Sequence, residues 1–224
     1  MTSRNLPRVV LVGFNKCATR SFARLFEAAG HPSLHHKLRR PLRRSRTVAR
    51  MMRENLAAGR RVFHGIEHFT FYSDLVYVTD SVAFEGNSVY REILRDYPDT
   101  ILILNLRDRE DWIRSRMKHG HGEFADRYGK ALGLRSFEEV QEHWRKMWDE
   151  QVAGVREFMA DRPGQLIEFN IDHDRIEDLI ARLPQYGLRA EDWGVTGQSR
   201  GRRMSPRLAR AKRVWAHLRA RPRR

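Results

Sequence analysis

The sequence predicts an α/β domain, a doubly wound parallel sheet flanked by helices, and three observations carry that prediction. A β-branched and aliphatic run, Val9–Val12, stops at Gly13 and passes through a short polar loop into an amphipathic segment. A second run, Thr100–Leu106, is almost wholly aliphatic, as expected of a strand covered on both faces. Between and after these runs, helical patterns alternate with short strand-like ones, the order of elements that builds parallel sheets. At 224 residues the chain has the length of one domain with a sizeable core.

In order, the pattern predicts a strand at 8–13, a loop at 13–19 and a helix at 20–29 closed by Gly30. Residues 31–46 hold two prolines, a histidine pair and an arginine cluster without apolar rhythm, which predicts a loop. A helix over 47–58 ends at Gly59, and 61–66 reads as a second strand exiting into Glu67-His-Phe-Thr-Phe-Tyr-Ser-Asp74. A helix over 88–97 leads to the strand at 100–106, a helix over 109–118 and a Gly/His loop at 119–122. Apolar residues near 3.6-residue spacing predict a long helix over 136–161, followed by a strand at 165–169 and a short helix at 175–183. The expected division is one α/β domain over 1–196 and a basic segment over 197–224.

The formal charge of +15 is uneven. Residues 1–61 carry 15 Lys/Arg against 2 Asp/Glu, 62–196 carry 17 against 26, and 197–224 carry 11 against none. Such basic ends attract polyanions: nucleic acid, an anionic membrane, or a sulfated or carboxylated glycan. The lone cysteine excludes an internal disulfide and any multi-cysteine metal site. No apolar stretch has the length of a membrane span, and no apolar leader precedes the first strand, so the expected compartment is the cytoplasm. His119-Gly-His121 is too little for a zinc site, so the histidines read as solvated loop residues and no metal is expected.

The chemistry-bearing residues cluster at the first loop, Gly13-Phe-Asn-Lys-Cys-Ala-Thr-Arg-Ser21. A strand, turn and helix in that order form an anion site from free backbone N–H groups and the positive end of a helix. The lysine comes too early for a triphosphate cradle of the form G-x-x-x-x-G-K-[ST]. A second segment, Ile101-Leu-Ile-Leu-Asn-Leu-Arg107-Asp, places an arginine at a strand end and Ser115 eight residues later. An arginine at a central strand end sits where parallel sheets bind ligands, and its planar fork suits a phosphate. After the predicted second strand, Glu67, His68 and Asp74 each qualify as a general base.

The loop resembles the 5′-phosphosulfate loop of the sulfotransferases, K-x-G-T-[TR], and the Arg107/Ser115 pair is similar to that family's 3′-phosphate site. The resemblance spans roughly 8–183 and implies a P-loop-like fold and transfer of a sulfuryl group from 3′-phosphoadenosine 5′-phosphosulfate (PAPS) to an acceptor hydroxyl or amine. The product 3′-phosphoadenosine 5′-phosphate (PAP) would leave. It implies that Lys16 contacts the oxygen bridging sulfur and phosphate, and that Gly13, Cys17, Ala18, Thr19, Arg20 and Ser21 surround the 5′-phosphate. Arg107 and Ser115 would hold the 3′-phosphate. Gly197-Gln-Ser-Arg-Gly-Arg-Arg203 resembles the family's S-K-G-R loop, which places Arg200, Gly201 and Arg202 against the nucleotide. Glycan-sulfating members favour Glu67 as base, with Asp74 second, matching a bacterial F-[ST]-D phrase, and His68 third. Cys17 and Ala18 stand where glycines are commonest.

The basic stretch 37–61 would suit an anionic saccharide acceptor, with nucleic acid bound only non-specifically. Two other readings are a small-molecule kinase or nucleotide hydrolase, opposed by the missing G-K-[ST], and a non-enzymatic polyanion or nucleic-acid binder. The second lacks any recognisable nucleic-acid motif.

Overall fold

The computed structural model describes residues 6–40 and 43–194. Along the chain these form β1 (Val9–Leu11), α1 (Thr19–Ala28), β2 (Ser33–His35), β3 (Lys37–Arg40), β4 (Arg43–Thr47), α2 (Val48–Ala57), β5 (Phe71–Ser73), β6 (Val76–Val78) and β7 (Ala83–Glu85). Then come α3 (Tyr90–Asp96), β8 (Ile101–Leu106), α4 (Arg109–Met117), α5 (Glu123–Leu132), α6 (Phe137–Phe158), β9 (Leu166–Asn170) and α7 (Ile176–Ala181).

Five strands form one parallel sheet in the order β2-β5-β1-β8-β9. The chain steps left from β1 to β2, then rightward through β5, β8 and β9. Right-handed crossovers therefore put the helix of the leftward step on one face and those of the rightward steps on the other. The buried clusters follow this division. Phe22, Leu25 and Phe26 of α1 pack with Val9, Leu11, Ile103 and Phe169, joined by α7 through Ile176 and Leu179. On the opposite face, Met52 of α2, Ile93 of α3 and Val155 of α6 pack with Val10, Tyr72, Leu102 and Leu104. A third cluster, Phe14, Cys17, Trp112, Tyr128, Trp144 and Trp148, packs α4, α5 and α6 under the first loop.

The long helix fits its expected bounds. Ser136 caps α6 by accepting from the Glu139 N–H, and its buried residues Val140, Trp144, Trp148, Gln151 and Val155 follow a three-to-four spacing. The stretch 61–66 is turns, not a strand: Asn55 Nδ2 donates to the Val62 and His64 carbonyls, and the Val62 N–H donates to Asp96 Oδ2. Its apolar residues Val62, Phe63 and Ile66 are buried as turn residues in the core, and the sheet strand begins only at Phe71. The expected loop at 31–46 instead contains the sheet's edge strand β2 and part of the β3–β4 hairpin, whose cationic composition hid its strand character. Helix α5 starts directly after the Gly/His turn, without a polar cap to announce it. No helix among the described residues is long and apolar enough to cross a membrane.

Candidate active site

The strand order reverses between the parallel neighbours β1 and β8, and ligands of open parallel sheets bind beyond the strand ends at such a reversal. The loop after β1 is fastened there by side chains from several elements. Asn105 of β8 accepts from the Gly13 N–H (3.0 Å) and donates to the Cys17 (2.7 Å) and Phe14 (3.4 Å) carbonyls. Gln151 of α6 donates to the Val12 carbonyl (2.8 Å), and Trp112 Nε1 donates to the Asn15 carbonyl (3.0 Å). A Cβ at residue 13 would lie 2.0 Å from the Asn105 carbonyl oxygen, so only glycine permits this approach.

These fastenings hold the loop in a strained shape. Lys16 (φ 71°) and Ala18 (φ 56°) lie in the left-handed region, as do His36 (φ 58°) and Asp74 (φ 57°), which follow β2 and β5. Four such residues follow the C-terminal ends of three neighbouring strands, and strain of this kind gathers at functional sites. Ala18 is the N-cap of α1 and offers no side-chain cap; the first turn of α1 also has no acidic residue. Helix α2 shares both absences, whereas Asp108 caps α4 and Ser136 caps α6, each followed by two acids; the start of α1 is set apart by its place just beyond the end of β1. The N-terminus of α1 is thus left open to an anion. Because an L-residue at positive φ costs about 1–2 kcal/mol, Ala18→Gly is expected to stabilise the protein by roughly 1 kcal/mol, read as a melting-temperature rise of about 2–4 °C.

Cys17 is fully buried in the third cluster, and burial pushes its thiol up to about 12, which makes it a packing residue and no nucleophile. Thr19 and Ser21 are buried in the first turn of α1, while Arg20 lines the cavity described below. At the end of β8, Arg107 donates from Nη1 to the Lys16 carbonyl (3.2 Å), and its buried Nε has no partner among the described residues. Its neighbouring carboxylates are engaged elsewhere: Asp108 caps α4 and Asp111 pairs with Arg114. Ser115 lies half-buried on α4, eight residues beyond Arg107.

Beside the loop is a cavity of about 430 Å³ lined by Asn15, Arg20, His35, His36, Lys37, Asp74, Val76, Val78, His119 and Phe124. Asp74 Oδ2 is 3.7 Å from both His35 Nε2 and His36 Nδ1, and its buried Oδ1 has no hydrogen-bond partner among the described residues. Burial lowers the Lys16 pKa from the ordinary lysine value; Asp74 opposes this, and Arg107 and Arg20 reinforce it. Burial likewise lowers the His35 pKa, against the pull of Asp74. These histidines line a cavity rather than a solvated loop. Among the described residues no three His, Cys, Asp or Glu side chains are placed to hold a metal.

The structure thus brings together Gly13, Lys16, Cys17, Ala18, Thr19, Arg20, Ser21, Arg107 and Asp74, with Ser115 on the adjoining helix. Glu67 and His68 are not brought there, because the sheet strand starts after them and both lie at the opposite, N-terminal edge. The Glu67 carbonyl accepts from Arg8, which directly precedes β1. Burial raises the Glu67 carboxyl pKa, but the Gly65 N–H and Arg61 outweigh it and leave it below the ordinary value. His68 is exposed against Phe69. Arg200, Gly201 and Arg202 lie outside the described residues. Asn105 was missed from sequence, although a single polar residue in a buried strand, ILILNL, was its signal.

A family model described as a sulfotransferase domain matches residues 8–182. No curated protein matches the chain. Among solved structures, the crystal structure of a sulfotransferase from Alicyclobacillus acidocaldarius aligns over 96% of this chain and 93% of that one, at 17% identity and a TM-score of 0.42.

Proposed function

The chain belongs to the sulfotransferase domain family, and from that premise we propose that it moves a sulfuryl group from PAPS to a hydroxyl or amine of an acceptor bound in the Asp74 cavity. The observation that carries this reading is the meeting of Lys16 and Asp74. They follow the adjacent strands β1 and β5, interact electrostatically, and belong to an anion-receiving loop and a 430 Å³ cavity respectively. The donor residues fit the group: an uncapped helix N-terminus, the glycine at which the loop crosses β8, and a buried Arg107 Nε without a partner among the described residues.

The donor supplies an activated sulfuryl group with a phosphate as leaving group. In this assignment the first turn of α1 binds the 5′-phosphate, and Arg107 with Ser115 binds the 3′-phosphate. Lys16 offers a point charge to the bridging oxygen as the sulfur–oxygen bond breaks. Asp74 accepts the acceptor's proton while the new bond forms, sulfur–oxygen for a hydroxyl and sulfur–nitrogen for an amine. Trp193, close to the last described residue, packs on Phe22 of α1 and Phe169 of β9. Arg20, Lys37 and three histidines among the cavity's lining favour an anionic acceptor, of which a carboxylated or sulfated saccharide is the natural form.

Calorimetric titration with PAP, with ATP as control, tests the reading. We expect micromolar PAP binding that is weakened at least tenfold in Arg107→Ala, and ATP binding that is weak and indifferent to magnesium. Folded wild type that ignores PAP would overturn the assignment.

A further inference from the structure

The residue before Lys16 has no place in the motif, and the structure gives it one. Asn15 is buried and lines the cavity together with Asp74, Arg20 and His119. Its Oδ1 accepts a hydrogen bond from Arg116 Nε at 2.9 Å, and its backbone carbonyl accepts from Trp112. Arg116 is completely buried, pairs with Glu85, and is ringed by Phe14, Trp112, Phe124, Tyr128 and Trp144 with its guanidinium carbon 4.7–5.7 Å from their centroids.

A guanidinium has donors and no acceptor, so the amide oxygen of Asn15 must face it. The amide nitrogen, with its two N–H bonds, is then turned away from Arg116 and left for the cavity. The supporting pair is costly. Arg116 Nη1 and Glu85 Oε2 are both buried without hydrogen-bond partners among the described residues, and apolar residues of similar volume generally stabilise such a place better. Arg116 and Glu85 together fix one side chain in one orientation at the mouth of the donor loop.

We propose that Asn15 is a substrate-contacting residue whose amide N–H donates to a non-bridging oxygen of the transferring sulfuryl group, and that Arg116 positions it. This rests on the sulfuryl-transfer reading. Sulfonyl oxygens accept hydrogen bonds and cannot donate them, so an amide presenting its nitrogen matches them and one presenting its oxygen would repel them. Lys16 then serves the leaving oxygen and Asn15 the group in flight.

The test is steady-state transfer from labelled PAPS, with PAP titration, on wild type, Asn15→Ala and Asn15→Asp. The aspartate variant keeps an acceptor for Arg116 and loses the donor toward the cavity. We expect Asn15→Asp to melt near wild type and Asn15→Ala, which strips the buried Arg116 Nε of its acceptor, to melt lower. Asn15→Ala should bind PAP within about threefold, and both variants should lose about 10²-fold in kcat, the loss typical of one transition-state donor, with little change in acceptor KM. Arg116→Lys, which keeps a donor toward Oδ1, should retain more kcat than Arg116→Met. Wild-type kcat in either Asn15 variant would overturn the proposal, as would lost PAP binding in Asn15→Ala, which would make Asn15 a support of the donor loop. If wild type itself neither binds PAP nor transfers, the sulfuryl reading has failed, a result separate from either Asn15 outcome.

Discussion

Lys16→Ala is expected to lower kcat by about 10³-fold, the upper range for removal of one group that stabilises developing charge, while leaving the fold intact. The fold should survive because alanine keeps the Cβ, and the loop is held by Asn105, Gln151 and Trp112 through backbone atoms of other residues. The hydrogen bond that Arg107 donates to residue 16 reaches its backbone carbonyl. Lys16→Arg should not rescue, since a planar fork cannot occupy the place of a compact ammonium on a single bridging oxygen. A pH signature accompanies the loss. Burial, Arg107 and Arg20 keep the Lys16 pKa below the usual lysine value, so the ammonium is lost earlier as pH rises. A bound anion favours the charged form. Donor affinity should therefore fall as pH climbs through the depressed pKa, and binding in that window should take up a proton. Calorimetry in two buffers of different ionisation enthalpy measures that proton; its absence in wild type, or its persistence in Lys16→Ala, would remove Lys16 from the donor site.

Much of this site was legible because it follows from local chemistry. The run Val9–Val12, the glycine and the lysine loop need one strand, one turn and one helix, and those elements form where the pattern puts them. Arg107 was legible for the same reason, as the terminus of an aliphatic strand. The acceptor side was not, because it depends on which short strands join the sheet. The strand β5 has three residues, and Val62, Phe63 and Ile66 carry as strong an apolar signal as Phe71 and Tyr72. Only the pairing of β5 with β1 and β2 decides that the sheet starts at Phe71. That decision sends Asp74 to the C-terminal edge and Glu67 to the opposite one. Asn15 and Arg116 were hidden for a different reason, since their contact spans 101 positions and no local periodicity announces it.

Asp74→Asn is expected to lower kcat by about 10²–10⁴-fold, the span covered by a general base, whereas Glu67→Gln should leave kcat within twofold. The asparagine change isolates proton acceptance from architecture. Asp74 has a φ of 57°, and asparagine tolerates the left-handed region about as well as aspartate, so the turn after β5 should persist. The side chain keeps its shape between His35 and His36 and keeps an oxygen to face them, but it no longer takes up a proton from the acceptor. PAP affinity should change far less than kcat, because the anion's partners are the first turn of α1, Lys16 and Arg107. Glu67 provides the internal control: its carboxylate holds the Gly65 N–H and Arg61 at the far edge of the sheet, so its loss should register in melting temperature. Transfer rates measured for both variants at saturating donor decide the matter. A silent Asp74→Asn beside a crippled Glu67→Gln would require the acceptor to approach from the opposite edge of the sheet, which the position of Lys16 at the end of β1 does not allow. A silent result in both variants would pass the proton to His35 or His36, whose imidazoles flank the same carboxylate.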